Sequence, residues 1–237
     1  MALGTTATSS GQTAPLASPV RGPNAAGRSH TRARILDAAA QLYRRIGHRK
    51  TTIADIADVM SMSPANVYRF FPSKHAIESA VAGELLDELI RLACRPARSD
   101  GSATERMRAV LQAIERLHRV RCDQDHRLHE LVVTAARENW PVMSCYADSL
   151  MSTVAQIISE AQACGEFAAG DPVTSARCVL GAMSAHLDPL LATTSAGFGR
   201  PGLDQMIDFC IGALRTAPEA GTTGSDPFNP VQSVEAR

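Results

Sequence analysis

The 237-residue chain has no apolar run approaching the roughly 18 residues that a membrane-spanning helix needs, so no membrane segment is predicted. Its first 30 residues lack the apolar segment of a secretory signal. The six cysteines are scattered without a C-x-x-C pair, which argues against a disulfide framework. Together these absences predict a reduced, cytoplasmic protein.

No stretch alternates apolar and polar residues for long enough to predict a β-strand. Helical periodicity recurs instead, and it predicts an all-α protein of about nine helices. Several boundaries are marked locally: Thr52 with Asp55 and Ser102 with Glu105 form capping boxes, and Gly47 ends a helix. Further helices are expected to start at Asp125, at Trp140-Pro141 and at Asp171-Pro172.

Formal charge is balanced over the whole chain but not along it. Between Arg28 and Lys74 there are nine lysines and arginines against three acids, an excess of six positive charges. The rest of the chain carries the compensating negative charge. A basic end on an acidic body is typical of a protein that binds nucleic acid phosphates with one end only.

Residues Thr51 to Lys74 read as two short helices joined by the turn DVMSMS, which is the design of a helix-turn-helix reader of the DNA major groove. Ile56, Ala57 and Val67 are expected to lock the two helices together. Asn66 suits adenine and Arg69 suits guanine or phosphate. Tyr68, Thr51 and Lys74 are better placed for phosphates. The residues predicted to contact DNA are Thr51, Thr52, Ser63, Pro64, Ala65, Asn66, Tyr68, Arg69 and Lys74.

An alternative interpretation of this segment is a helical hairpin in an ordinary α-domain, with Tyr68, Phe70 and Phe71 as core aromatics. Phe71 is expected to be buried under either interpretation.

The segment resembles the N-terminal domain of the tetracycline-repressor (TetR) family of bacterial regulators over residues 31–80. The family pattern is matched by Thr52, Ile56-Ala57, Ser63, Tyr68, Phe71 and Ser73-Lys74. Two positions depart from it. The turn glycine common in the family is Ser61 here, and the Gly-Thr pair early in the recognition helix is Ala65-Asn66, so the base preference of better-known members does not transfer.

The resemblance implies a homodimer that binds a pseudo-palindromic operator in double-stranded DNA and leaves it when a small molecule enters the C-terminal domain. The last two helices, expected at Pro172–Leu191 and Gly202–Arg215, would pair with their mates as a four-helix bundle. The predicted organisation is a disordered arm (1–28), a helix-turn-helix DNA-binding domain (29–76), a helical effector-binding and dimerisation domain (77–216) and a flexible tail (217–237).

In this interpretation residues 101–165 surround the effector, whose identity the sequence does not reveal. Trp140, at a helix break, is more typical of a core anchor than of a ligand platform. The residues predicted to line the pocket are Met107, Leu111, Ile114, His118, His129, Trp140, Met143 and Tyr146.

His118, Cys122, His126 and His129 would align on one face of an unbroken helix, where imidazole and thiolate groups suit zinc. Asp123 and Asp125 look like a loop and a cap that would break this alignment, so no metal or cofactor is predicted. A redox sensor at Cys122 or Cys145 has no more support, because no thiolate-stabilising site is visible.

Two other functions stay open at this stage. A constitutive DNA-binding protein without ligand control is one, and a helical body with no internal cavity would favour it. A helical enzyme with an accessory DNA-binding head is the other, although the chain has no Gly-rich phosphate loop, G-x-S-x-G elbow or metalloprotease motif. Whether the regulator represses or activates depends on the position of its operator.

Overall fold

The computed structural model describes residues 23–189 and 201–216, and every regular element within those residues is a helix. This confirms the prediction of an all-α fold. Nine α-helices and one short 3-10 helix, Arg95–Arg98, occur in this part of the chain. The α-helices are α1 (Pro23–Ile46), α2 (Ile53–Val59), α3 (Pro64–Tyr68), α4 (Lys74–Ala93), α5 (Ala103–Gln124), α6 (His126–Arg137), α7 (Pro141–Ala163), α8 (Pro172–Leu187) and α9 (Leu203–Arg215).

The ends of the chain differ in part from the predicted boundaries. Helix α1 begins at Pro23, so helix extends into the segment that was predicted as an arm over residues 1–28. Helix α8 ends at Leu187, whereas Leu191, its predicted end, lies outside the described residues. The rest of the arm, residues 1–22, and the tail, residues 217–237, also lie outside them.

Local capping interactions fix most of the helix starts, as the sequence predicts. At α2 the Thr52 hydroxyl accepts a hydrogen bond from the Asp55 amide at 3.2 Å, and the Asp55 carboxylate accepts one from the Thr52 amide at 2.7 Å. Ser102 and Glu105 form the same reciprocal pair at α5. Each cap satisfies amide groups that the first helical turn leaves without a partner.

Asp125 precedes α6 as predicted, but its side chain does not cap that helix. The carboxylate instead forms an ion pair with Arg44 of α1, at 2.8 Å from Nε. Arg127 of α6 donates hydrogen bonds to the carbonyls of Arg44 and Arg45 at the end of α1. The Asp125 carboxylate is therefore engaged by a residue 81 positions away rather than by the first turn of α6. These contacts join the start of α6 to the end of α1.

Two hydrophobic cores organise the described chain. The N-terminal core is built from α1 to α3 and the first half of α4, and it also takes in Leu128, Leu131 and Trp140 from α6 and the loop after it. The C-terminal core is built from the second half of α4 with α5, Val132 of α6 and α7 to α9. Helix α4 belongs to both cores, because Ile77 and Val81 pack in the first and Leu86 and Leu89 in the second. Helices α4 and α6 therefore each pack in both cores and join the two halves of the protein.

None of the helices in the described ranges is both long enough and apolar enough to cross a membrane.

Candidate nucleic-acid interface and ligand cavities

The turn between α2 and α3 closes without glycine. Ser61 adopts φ 52°, in the left-handed region that glycine occupies without strain. The turn is held by backbone hydrogen bonds from the amide of Ser61 to the Asp58 carbonyl and from the amide of Met62 to the Ala57 carbonyl, at 3.0 and 2.9 Å. Ile56, Ala57 and Val67 are fully buried beneath it. The predicted helix-turn-helix lock is thus present, with serine in the strained position.

Ser61→Gly is expected to stabilise the protein by about 0.5 kcal/mol. The left-handed backbone costs an L-residue roughly 1–2 kcal/mol, and the greater freedom of glycine in the unfolded chain offsets part of that gain. Urea unfolding measures the difference. Ser152→Gly, in the exposed surface of α7, is the matched control and is expected to destabilise by about 0.5 kcal/mol. Equal destabilisation by both substitutions would contradict the assignment of strain to Ser61.

The outer face of α3 is exposed and polar. The Ser63 hydroxyl accepts a hydrogen bond from the Asn66 amide and so caps the helix, with Pro64 in its first turn. Tyr68 is 52% exposed, and the guanidinium of Arg69 has no hydrogen bond or ion pair with any described residue. The Asn66 side chain is half-buried, and its only hydrogen-bond partner among the described residues is the Met62 sulfur, which accepts from Nδ2 at 3.9 Å. These side chains are available to a ligand that approaches α3.

Two of the residues predicted to contact DNA have structural roles beside the turn between α1 and α2. Thr51 is only 1% exposed, and its hydroxyl donates a hydrogen bond to the Gly47 carbonyl at 2.9 Å. The Lys74 ammonium donates to the Arg49 carbonyl at 3.2 Å and pairs with Glu78 at 3.4 Å. Thr51 therefore holds the turn from inside, while Lys74 joins the turn to α4 from the surface.

Two arginines of the basic segment lie over aromatic rings. The guanidinium of Arg32 lies 4.7 Å from the centre of the Phe71 ring, and that of Arg28 lies 6.0 Å from the Phe70 ring. Phe71 is buried, as predicted. Stacking of this kind stabilises a cation near the ring without neutralising it. The long helix α1 is thereby tied to the segment that follows α3, and the domain keeps its excess of positive charge.

Most of the residues predicted to line an effector pocket are packed in the cores. Met107, Leu111 and Ile114 are fully buried in the C-terminal core, while Trp140 belongs to the N-terminal core and Met143 packs against both. Their role in effector binding stays a prediction.

His118 and Tyr146 form a buried polar pair inside the C-terminal core. The His118 Nε2 atom lies 3.2 Å from the Tyr146 hydroxyl, and His118 Nδ1 has no partner among the described residues. Burial, with smaller contributions from Arg121 and His129, lowers the pKa of His118 to about 3. Burial also raises the pKa of Tyr146. Both side chains are therefore neutral at pH 7, which is the form that a buried site without a countercharge favours.

A cleft of about 820 Å³ lies between the C-terminal end of α4, the 3-10 helix and α7. Apolar side chains such as Ile90, Cys94 and Ile157 line part of it, and Thr153 and Gln156 add hydrogen-bonding groups. Arg91, Arg95 and Arg98 line it as well. We call this the α4–α7 cleft. None of its lining residues was predicted from the sequence to bind an effector, and the only local signal was the short Arg-Pro-Ala-Arg segment between two helices.

His129, unlike the other predicted effector residues, lines a second cleft of about 470 Å³ between the turn after α1 and helix α6. We call this the interdomain cleft. Cys122 and His126 line it too, whereas His118 is buried beside Tyr146 of the C-terminal core. Within the described ranges, no three His, Cys, Asp or Glu side chains are arranged so that they could hold a metal ion. The four residues weighed as metal ligands are thus divided between two environments.

Two family profiles match the sequence. The profile described as bacterial regulatory proteins of the tetR family matches residues 35–81, and the profile described as the tetracyclin repressor-like C-terminal domain matches residues 103–202. Together they span more than half of the chain.

Individual relatives agree with the profiles. The HTH-type transcriptional repressor KstR2 of Rhodococcus jostii is 36% identical over 63 residues, which are 27% of this chain and only 31% of that protein. A TetR/AcrR-family regulator from Thermobifida fusca has a similar fold, with a TM-score of 0.55 and 22% identity over 80% of this chain and 99% of that one. A TetR-family regulator from Pectobacterium atrosepticum matches with a TM-score of 0.60 and 16% identity over 82% and 98%.

Proposed function

Because the chain belongs to the tetracycline-repressor family of DNA-binding transcriptional regulators, we propose that it is a homodimeric repressor which a small-molecule effector releases from a pseudo-palindromic operator. The observation that carries the proposal is the exposed polar face of α3, set on a turn that buried residues hold rigidly. Repression, rather than activation, is favoured by the description of the 36% identical relative as a repressor.

We propose that α3 enters the major groove and that different residues of the domain contact bases and phosphates. Asn66 and Arg69 are assigned to base edges, since amide and guanidinium groups make bidentate contacts with adenine and guanine. Ser63, Pro64 and Ala65 lie at the exposed start of the helix, where they approach the bases closely. Thr52, Tyr68 and Lys74 are assigned to phosphates. Thr51 is assigned an indirect role, because its buried hydroxyl holds the turn next to Thr52.

We place the dimer interface on α8 and α9. Ile207, Cys210 and Ile211 turn one face of α9 into the C-terminal core. The opposite face exposes 69% of Phe209, and Val173 of α8 is also exposed. Small residues that permit close approach of two helices lie on the exposed surfaces of α8 and α9, namely Cys178, Gly181, Ala182, Gly212 and Ala213. A second copy of the same surface would cover these apolar groups in a two-fold dimer.

Ligand control is supported by the α4–α7 cleft, whose volume suits a small organic molecule. Cys94 lines the cleft and packs against the C-terminal core, to which Tyr146 also belongs. Helix α4 runs from this cleft to Lys74 beside the DNA interface. A ligand that shifts α4 would therefore change the position of the helix-turn-helix. A constitutive DNA-binding protein has no evident need of such a cleft.

The proposal is tested by selecting bound sequences from a random duplex pool with the purified full-length protein. A motif with two inverted half-sites is expected, and it supplies the probe for an effector screen. Any compound that releases the protein from this probe should fail to release Thr153→Trp, which fills the cleft but leaves the DNA interface intact. A pool enriched for no sequence would contradict operator recognition, and equal release of both proteins would contradict the placement of the effector.

Asn66→Ala is expected to reduce the preference for one base pair in each half-site by roughly 1–3 kcal/mol, because the bidentate contact is lost while phosphate contacts remain. Titration of the protein against operator variants measures this preference. If the ranking of the variants stays the same in Asn66→Ala, the base-reading role of Asn66 is wrong.

Lys74→Ala is expected to weaken binding to all duplexes about equally and to reduce the slope of log affinity against log salt by about one, as loss of a single phosphate contact does. Lys74→Arg keeps the charge and should keep the slope. A sequence-dependent loss, or an unchanged slope in Lys74→Ala, would limit Lys74 to its structural contacts with Arg49 and Glu78.

A further inference from the structure

The interdomain cleft joins the two halves of the protein at a place that neither the DNA contacts nor the effector cleft uses. One wall is the turn after α1, with His48 and Arg49, and the other is α6, with His129, Glu130 and Arg137. The volume of about 470 Å³ is enough for a small metabolite. The turn leads within three residues to Thr52 and the start of α2. Anything bound in this cleft would therefore contact the DNA-binding domain and the effector domain together.

Two buried histidines line the cleft with their hydrogen-bonding capacity unused. His48 and His129 are each only 4% exposed. His48 Nδ1 and both ring nitrogens of His129 form no hydrogen bond with any described residue. Buried polar atoms are nearly always paired, and an unpaired one destabilises the fold, so each exception calls for an explanation. Groups on a bound ligand would supply the missing partners.

The charged groups of the cleft favour an anion. Neither the Arg49 nor the Arg137 guanidinium forms a hydrogen bond or ion pair within the described part of the chain. Glu130 is the one carboxylate among the described lining residues, and it lies 3.6 Å from His126, which offers it a partner. Two guanidinium forks with no countercharge, beside imidazole N–H donors, match the acceptor oxygens of a phosphate group.

We infer that the interdomain cleft binds a small phosphate-type oxyanion, either inorganic phosphate or a phosphorylated metabolite, between Arg49 and Arg137. His48 and His129 donate ring N–H groups to the same oxyanion. The ligand bridges the turn after α1 and helix α6, beside the contacts that Arg44 and Asp125 already make between these elements. Because the binding can be measured without DNA and without an effector, this inference stands or falls separately from the proposed function.

The test is isothermal titration calorimetry of the full-length protein with inorganic phosphate and with glycerol 3-phosphate, at an ionic strength held constant with chloride. One saturable site per chain is expected. Arg137→Gln and His129→Leu are each expected to weaken it by at least about tenfold. Arg137 is exposed, so its substitution is compatible with folding even if that of His129 is not. Tighter binding of the ester would identify a phosphorylated metabolite as the natural ligand, and tighter binding of phosphate would identify the free ion; either result supports the site.

Two controls separate this site from other positive surfaces. Arg119→Gln removes a charge from the exposed side of α5, and Arg69→Gln removes one from the proposed DNA interface. Both should bind the oxyanion as the wild type does. The inference is overturned if no saturable binding occurs, if Arg137→Gln and Arg119→Gln bind equally well, or if Arg69→Gln is the variant that loses binding.

Discussion

Phe209→Lys is expected to convert the proposed dimer into monomers that bind operator DNA weakly. Phe209 is 69% exposed on α9, and the opposite face of that helix is already occupied by the C-terminal core. In a two-fold interface the same residue appears twice, so each substitution counts twice. Loss of two buried phenylalanine side chains, at about 1.5–3 kcal/mol each, weakens association by roughly 10²- to 10⁴-fold. Two ammonium groups brought into one apolar interface weaken it further.

Sedimentation equilibrium at micromolar concentration measures the change in association, and operator titration measures its effect on DNA binding. A monomer engages one half-site at a time, so the loss of operator affinity should follow the loss of dimer. Val120→Lys is the matched control, since Val120 is a 40% exposed apolar residue on α5, which is not one of the two helices of the proposed interface. Val120→Lys should remain dimeric, because the proposed interface does not include Val120. Dimers in both variants, or monomers in both, would contradict the placement of the interface on α8 and α9.

The sequence predicted best what short-range chemistry decides. The capping boxes at Thr52 and Ser102 formed as expected, because a serine or threonine three residues before an acid satisfies free amide groups within a single turn. Gly47 adopts φ 88° directly after α1, as a helix-ending glycine should. The all-α class and the family followed from signals of the same local kind.

Features that depend on distant parts of the chain were predicted less well. Asp125 was predicted to cap α6, but its carboxylate forms an ion pair with Arg44 instead. No local sequence pattern predicts a partner 81 residues away. Thr51 was assigned to phosphates by its position, while its burial depends on how α1 meets the rest of the domain. The α4–α7 cleft was missed because it exists only where the 3-10 helix and α7 diverge from the end of α4. Periodicity identifies which residues face a core but not where two helices leave space.

His118 is expected to make the protein markedly less stable in mild acid. It is 3% exposed, and the groups around it, Tyr146, Arg121 and His129, offer no carboxylate to balance a protonated ring. Its pKa is lowered to about 3 in the folded protein, against about 6.5 in an unfolded chain. Between these values only the unfolded state binds the proton, so the free energy of unfolding falls as the pH falls. From pH 7 to pH 4 the expected loss from this residue is about 3 kcal/mol.

Urea unfolding at several pH values between 7 and 4 measures this loss, and His118→Gln isolates the contribution of the residue. Glutamine keeps a hydrogen-bonding group near Tyr146 but takes up no proton, so its curve should be flatter by about 3 kcal/mol over this range. Capping carboxylates also contribute to acid sensitivity: hydrogen bonds from Thr52 lower the pKa of Asp55, so protonation of Asp55 destabilises the fold as the pH falls. This contribution is the same in both proteins, so the difference between their two curves reports on His118 alone. Parallel curves for the wild type and His118→Gln would contradict the prediction. They would mean that the His118 ring gains a proton in the folded state as readily as in the unfolded chain, which requires the buried His118–Tyr146 pair to open to water.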